Sequence, residues 1–181
     1  MKKAAVILAN GFEEIEALTV VDVLRRAQIP CTVLGFDKQV VGSHGISVIA
    51  DEVLDANVFD HDMIILPGGM PGSTNLKSSE TVISILRKMQ SEDKYIAAIC
   101  AAPIVLEHAG VLKGKNYTCY DGFEKELLLI FSRRIKSMLI YGLWLEVRMT
   151  TDIKTEIGHR VRQKRERHKL TREEVCGQKL T

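Results

Sequence analysis

The sequence lacks any long apolar run, and nothing in it approaches the ~20 consecutive apolar residues of a membrane-spanning helix. A membrane role is therefore not expected. The opening Met1-Lys2-Lys3 followed by Ala4 to Ala9 has too short an apolar core for a secretory signal, and no cleavage site follows. It reads as a first strand, and the expected location is the cytoplasm. Cysteine is sparse: Cys31, Cys100, Cys119 and Cys176 form no C-x-x-C pair and no metal-ligand spacing, so reduced thiols are expected. The five histidines are scattered, which argues against a metal centre. Neither G-x-G-x-x-G nor a phosphate-binding G-K-[ST] occurs, so a nucleotide site is not expected.

What is present is enough chain, 181 residues, for one domain with an appendage. Its near-neutral balance hides an asymmetry. Up to Leu128 there are 12 Lys and Arg against 17 Asp and Glu, a net of −5, whereas the remainder carries 13 against 6, a net of +7. Two segments of different role or origin are implied, 1–128 and 129–181.

The first segment alternates strand and helix. Ala4 to Ala9, Cys31 to Gly35 and Met63 to Leu66 are short apolar runs of buried-strand type. Val40 to Ala50, with Gly42 and Gly45, reads as a hairpin or short edge strands. A helix is predicted from near Glu13 to Arg26, with Ile15, Leu18, Val21 and Leu24 as its apolar stripe and acidic residues complementing its dipole. Ser79 to Gln90 is an amphipathic helix with Val82, Ile85, Leu86 and Met89 on one side. Asn116 to Tyr120 reads as a further strand and Glu124 to Leu128 as a helix start. This order predicts a doubly wound parallel α/β sheet.

Tyr95 to Ile99 is another strand, followed by the small residues Cys100, Ala101 and Ala102 and then Pro103, which suits a first helical turn. Cys100 thus falls where a buried strand turns into a helix, at the sheet edge where open α/β folds bind ligands. A thiol there would form a nucleophile elbow, and the helix N-terminus would favour its thiolate. The alternative is a small buried hydrophobe. Two more loops leave the same edge, Gly11 to Glu16 and Gly68 to Gly72.

Together these stretches resemble the ThiJ/PfpI family, in the superfamily of the parkinsonism-associated protein deglycase. The residues that carry the resemblance are Gly11-Phe12-Glu13-Glu14-Ile15-Glu16, Leu66-Pro67-Gly68-Gly69 and Ala97-Ala98-Ile99-Cys100-Ala101-Ala102-Pro103. Val111 to Gly114 and Tyr120 to Glu124 resemble the following segment, so the likeness runs from about residue 3 to 128. It implies a flavodoxin-like fold, a homodimer and no cofactor. It also implies a nucleophilic, redox-sensitive Cys100 and a protonated Glu16 that hydrogen-bonds the thiolate, so that Cys100 titrates well below the ~8.5 of a free thiol. Backbone N–H groups of Gly68, Gly69 and Ala101 would hold an oxyanion. Tyr120, standing where the deglycase branch often has histidine, and Cys119 are candidate pocket residues. Ala101 occupies the place where peptidase-like members carry histidine, so a Cys-His peptidase is not expected.

The family implies glyoxalase or deglycase chemistry on 2-oxoaldehydes or their protein adducts. The rival reading is a redox-sensing or chaperone-like protein whose cysteine is oxidised. A third is an inactive truncated member, because residues 129–181 do not follow the family and its usual C-terminal strands and helix are missing. A frameshift or truncation would account for that. Ile157 to Val175 weakly resembles the opening helices of a repressor-type helix-turn-helix, but no recognition helix follows, so sequence-specific nucleic-acid binding is not expected.

Overall fold

The computed structural model describes residues 2–56, 59–115, 117 and 119–123. Five strands form one parallel sheet: β1 (Ala4–Leu8), β2 (Cys31–Gly35), β5 (Glu52–Val53), β6 (Met63–Leu66) and β7 (Tyr95–Ala98). Their spatial order is β5-β2-β1-β6-β7. The chain builds outward from β1 on one side and then crosses to β6 on the other. The direction therefore reverses between β1 and β6, and the crevice beyond their C-terminal ends is where such sheets hold ligands. Between β2 and β5 the chain folds into the antiparallel hairpin β3 (Gln39–Val41) and β4 (Ser47–Ile49), as the sequence predicts.

Parallel strands covered on both faces need apolar residues at successive positions, and β1 has no exposed residue. Its Ala4, Val6 and Leu8 face the helix α1 (Glu14–Arg26). Ala5 and Ile7 face the layer made by α2 (Gly72–Lys77), α3 (Glu80–Ser91) and α4 (Pro103–Ala109). Val82, Ile85, Leu86 and Met89 of α3 are all buried there, and the Ser79 hydroxyl caps the helix by accepting from Val82 N. Arg25 secures the end of α1 by donating to the Cys31 carbonyl and pairing with Asp51.

One local reading needs correction. The core face of α1 is Ala17, Val20, Val21 and Leu24; Ile15 is 65% exposed and Leu18 only half-buried. A strict three-residue repeat drifts around a helix of 3.6 residues per turn, so the first members of the predicted stripe rotate off the sheet. The six-residue α2 and two-residue β5 carry no periodic signal. Of the predicted strand Asn116 to Tyr120, only Tyr117, Cys119 and Tyr120 are described. The predicted helix start at 124–128 and the atypical segment 129–181, with its helix-turn-helix likeness, lie outside the described residues.

His61, just before β6, is 9% exposed, stacks on Phe59 at 4.9 Å between ring centroids and has its Nε2 3.2 Å from Thr32 Oγ1. Burial pushes its pKa down, and the Lys3 ammonium adds to the effect. The unfolded chain therefore binds a proton here more readily than the folded one, so stability should fall as pH drops below about 6.5. Urea unfolding followed from neutral to mildly acidic pH should show this loss, and His61→Phe should flatten the slope over that window.

Candidate active site

The turn from β7 into α4 gives Cys100 a left-handed backbone, φ +60°. An L-residue held there costs about 1–3 kcal/mol, and surrounding bonds must hold it. Ile99 N donates to Leu66 O, Ala102 N donates to Ile99 O at 3.0 Å, and Tyr120 N donates to the Cys100 carbonyl at 2.8 Å. The thiol is half-buried, beside the turn that follows β6.

Gly68 in that turn is surrounded. A Cβ at this position would lie 2.6 Å from Cys100 Cβ and 2.7 Å from Glu16 Oε2, so no other residue fits without moving both. Its N–H donates to Glu16 Oε2 at 2.8 Å, and its carbonyl accepts from Glu13 N at 2.9 Å. Gly69 has φ +89°, and a Cβ there would meet the Phe12 carbonyl carbon at 2.6 Å. The β6 turn is thus sewn to the first turn of α1. This contact carries Glu16 to the sulfur, with which its carboxyl shares a hydrogen bond.

Two anions in this setting cannot form cheaply together. Burial raises the Glu16 carboxyl above the usual carboxylate range, outweighing the Gly68 N–H that favours its ionised form. Burial also pushes the Cys100 thiol up to about 11, helped by the charge of an ionised Glu16. The expectation that the helix N-terminus and Glu16 together bring Cys100 well below the ~8.5 of a free thiol is therefore not met. Burial thus favours the protonated form of each group, and a thiolate would need Glu16 to hold the proton that the two exchange. Backbone N–H groups of Ala101 and Gly69 donate to the sulfur and favour that arrangement.

Those same donors modify another expectation. The N–H groups of Gly69 and Ala101, expected to hold an oxyanion, are directed at sulfur, and that of Gly68 is occupied by Glu16. Tyr120 joins the site through its backbone, while its ring is 61% exposed and packs edge-on against Phe123. Cys119 packs against the core cluster on the α3–α4 side.

Sequence reasoning missed the task of Glu14. It is buried, not on a solvated face, and accepts from His44 N at 2.8 Å and lies 3.0 Å from His44 Nδ1. Burial opposes its charge, yet the bonds from the His44 side chain and the backbone bring its pKa to about 2. Glu14 thus pins the β3–β4 hairpin to α1. Its contacts lie about thirty residues away in sequence, and only the glycines at 42 and 45 hinted at a tight turn. Atoms of Glu13, Glu14 and His44 lie within 4.8 Å of one another, the described set whose donor types could hold a metal ion, although Glu14 is already committed to the hairpin.

The DJ-1/PfpI family model matches residues 2–138. Protein dj-1beta of Drosophila melanogaster is 41% identical over 134 residues, which is 72% of this chain and 72% of that protein. The deglycase PH1704 of Pyrococcus horikoshii is 30% identical over 154 residues, 83% of this chain and 92% of that protein. Coverage varies, and the match spans only 28% of the DJ-1 homolog B of Arabidopsis thaliana, at 41% identity. The crystal structure of the Drosophila protein superposes with a TM-score of 0.75 at 33% identity, covering 94% of this chain and all of that one (100%).

If Glu16 donates its proton to the Cys100 sulfur, Glu16→Ala should move the midpoint of iodoacetamide alkylation upward by about one pH unit or more. Glu14→Ala should leave it nearly unchanged. A downward shift in Glu16→Ala would mean that the carboxylate, not the sulfur, holds the charge.

Proposed function

The chain belongs to the DJ-1/PfpI family, and from that premise we propose that it is a cysteine-dependent protein with glyoxalase or deglycase-type activity on 2-oxoaldehydes or their protein adducts. The observation that carries the reading is the hydrogen bond between Glu16 and a half-buried Cys100 at the sheet's switch point. The deglycase name of the Pyrococcus relative supports the substrate class.

In this reading the Cys100 thiolate adds to the aldehyde carbon of methylglyoxal, forming a C–S bond, while the carbonyl oxygen takes the proton from Glu16. The Glu16 carboxylate then removes the proton on the former aldehyde carbon and returns one to the neighbouring carbon, leaving a thioester. Water cleaves that thioester to lactate and regenerates the shared proton. Overall, methylglyoxal and one water give lactate, with no external oxidant or reductant. As charge leaves sulfur for oxygen in the first step, the Gly69 and Ala101 N–H groups are close enough to follow it. The protein acts in this reading as a homodimer, and Tyr120 and Cys119 border the substrate.

Wild-type protein should convert methylglyoxal to lactate, and Cys100→Ser should abolish turnover while keeping its thermal midpoint. Glu16→Gln should reduce kcat far more than it changes KM, because it removes the proton carrier and keeps the shape. Stoichiometric oxidation of Cys100 by peroxide with no methylglyoxal turnover would favour the redox-sensing reading instead.

A further inference from the structure

A second cleft opens on the β2 side of the same sheet edge, with a volume of about 300 Å³. It is lined by Asn10, Phe36, Asp37, Val40, Asn75 and Ser78, none of which belongs to the Cys100–Glu16 pair. Its size is at the lower end of small-ligand pockets, about 300–1,000 Å³. The chemistry of its occupant can be read from the hydrogen-bonding capacity that the fold leaves unused.

Asn10 Oδ1 already accepts from Val41 N at 2.9 Å, which orients the amide and leaves its NH₂ as a donor. Asn75 Nδ2 already donates to Asn10 O at 2.8 Å, which leaves its Oδ1 as an acceptor. Ser78 Oγ donates its hydrogen to Thr74 O at 3.0 Å, so its lone pairs remain. The exposed Asp37 carboxylate has no hydrogen bond or ion pair among the described residues. The adjacent lysine does not neutralise it, because Lys38 Nζ donates to the Asp51 carbonyl at 2.8 Å. The cleft thus offers three acceptor groups, one of them charged, against the remaining amide hydrogens of Asn10 and Asn75, beside Phe36 and the apolar Val40. Such a lining disfavours anions and suits a ligand rich in N–H donors that can also lie against an aromatic ring.

We propose that this cleft binds a compact organic cation, an ammonium or guanidinium group of the size of a basic side chain. Asp37 supplies the charge partner, Asn75 and Ser78 accept further N–H bonds, and Phe36 offers an aromatic contact. The site stands independently of the reaction proposed for Cys100.

The test is a calorimetric and NMR titration of the full chain with Nα-acetyl-arginine methylamide, and with its uncharged citrulline counterpart. Saturable binding of the arginine probe is expected, with resonance shifts centred on Asn10, Phe36 and Asp37. The citrulline probe should bind about tenfold more weakly, and Asp37→Asn should weaken the arginine probe by a similar factor. Ser78→Ala should give a smaller loss, and Cys100→Ser none. Asp37 is exposed, so an unchanged thermal midpoint should accompany its substitution. No saturable binding, equal binding of the citrulline probe, or indifference to Asp37→Asn would overturn the assignment.

Discussion

The constraint on which the site depends is the close approach of the Gly68 turn to the first turn of α1. Nothing in β7 or α4 alone would place an acid beside Cys100. Gly68 does so by having no side chain: its N–H holds Glu16 and its Cα lies against Cys100. The bond from Glu13 N to Gly68 O closes the same junction from the other side. A side chain at 68 would have to displace the sulfur, the carboxylate or the whole turn. This contact therefore joins the loops that follow β1 and β6, where the winding reverses.

The electrostatics follow from that geometry. A half-buried thiol and a half-buried carboxyl each resist ionisation, and hydrogen-bond contact couples their titrations. The Ala101 and Gly69 N–H groups favour negative charge on sulfur, whereas the Gly68 N–H favours it on the carboxylate. Even with two N–H donors, burial and the neighbouring carboxylate leave the thiol raised to about 11. Glu14, two residues away on the same helix, has a different role: its charge is fixed by the hairpin loop. Two glutamates of one helical turn thus differ in their chemistry because their partners come from different loops.

Much of this was legible in the sequence, for definable reasons. β1, β2 and β6 are covered on both faces and must be continuously apolar, so they stand out as runs. Cys100 was legible because small residues separate a strand from a proline that suits a helix start. The α1 face was misread because spacing by three does not follow the helical turn. α2 and β5 were too short to leave a period. Glu14 was read as a dipole partner because its true partners, Ser43 and His44, are distant in sequence. The cleft beside Asp37 was invisible for the same reason, since it is assembled from β1, β2 and α2 connections. Local chemistry can be read along the chain, whereas the pairing of loops has to be seen in the fold.

The hydrogen bond between Glu16 and Cys100 lets the two groups exchange a proton, and the proposed reaction requires that Glu16 carry it at neutral pH. Infrared difference spectroscopy tests this directly, by comparing wild type with Glu16→Ala in the stretching region of a protonated carboxyl. The account predicts a carboxylic-acid band at neutral pH in the wild type that is missing from Glu16→Ala and altered when Cys100 is alkylated. A wild-type spectrum showing only ionised carboxylates at neutral pH would contradict it.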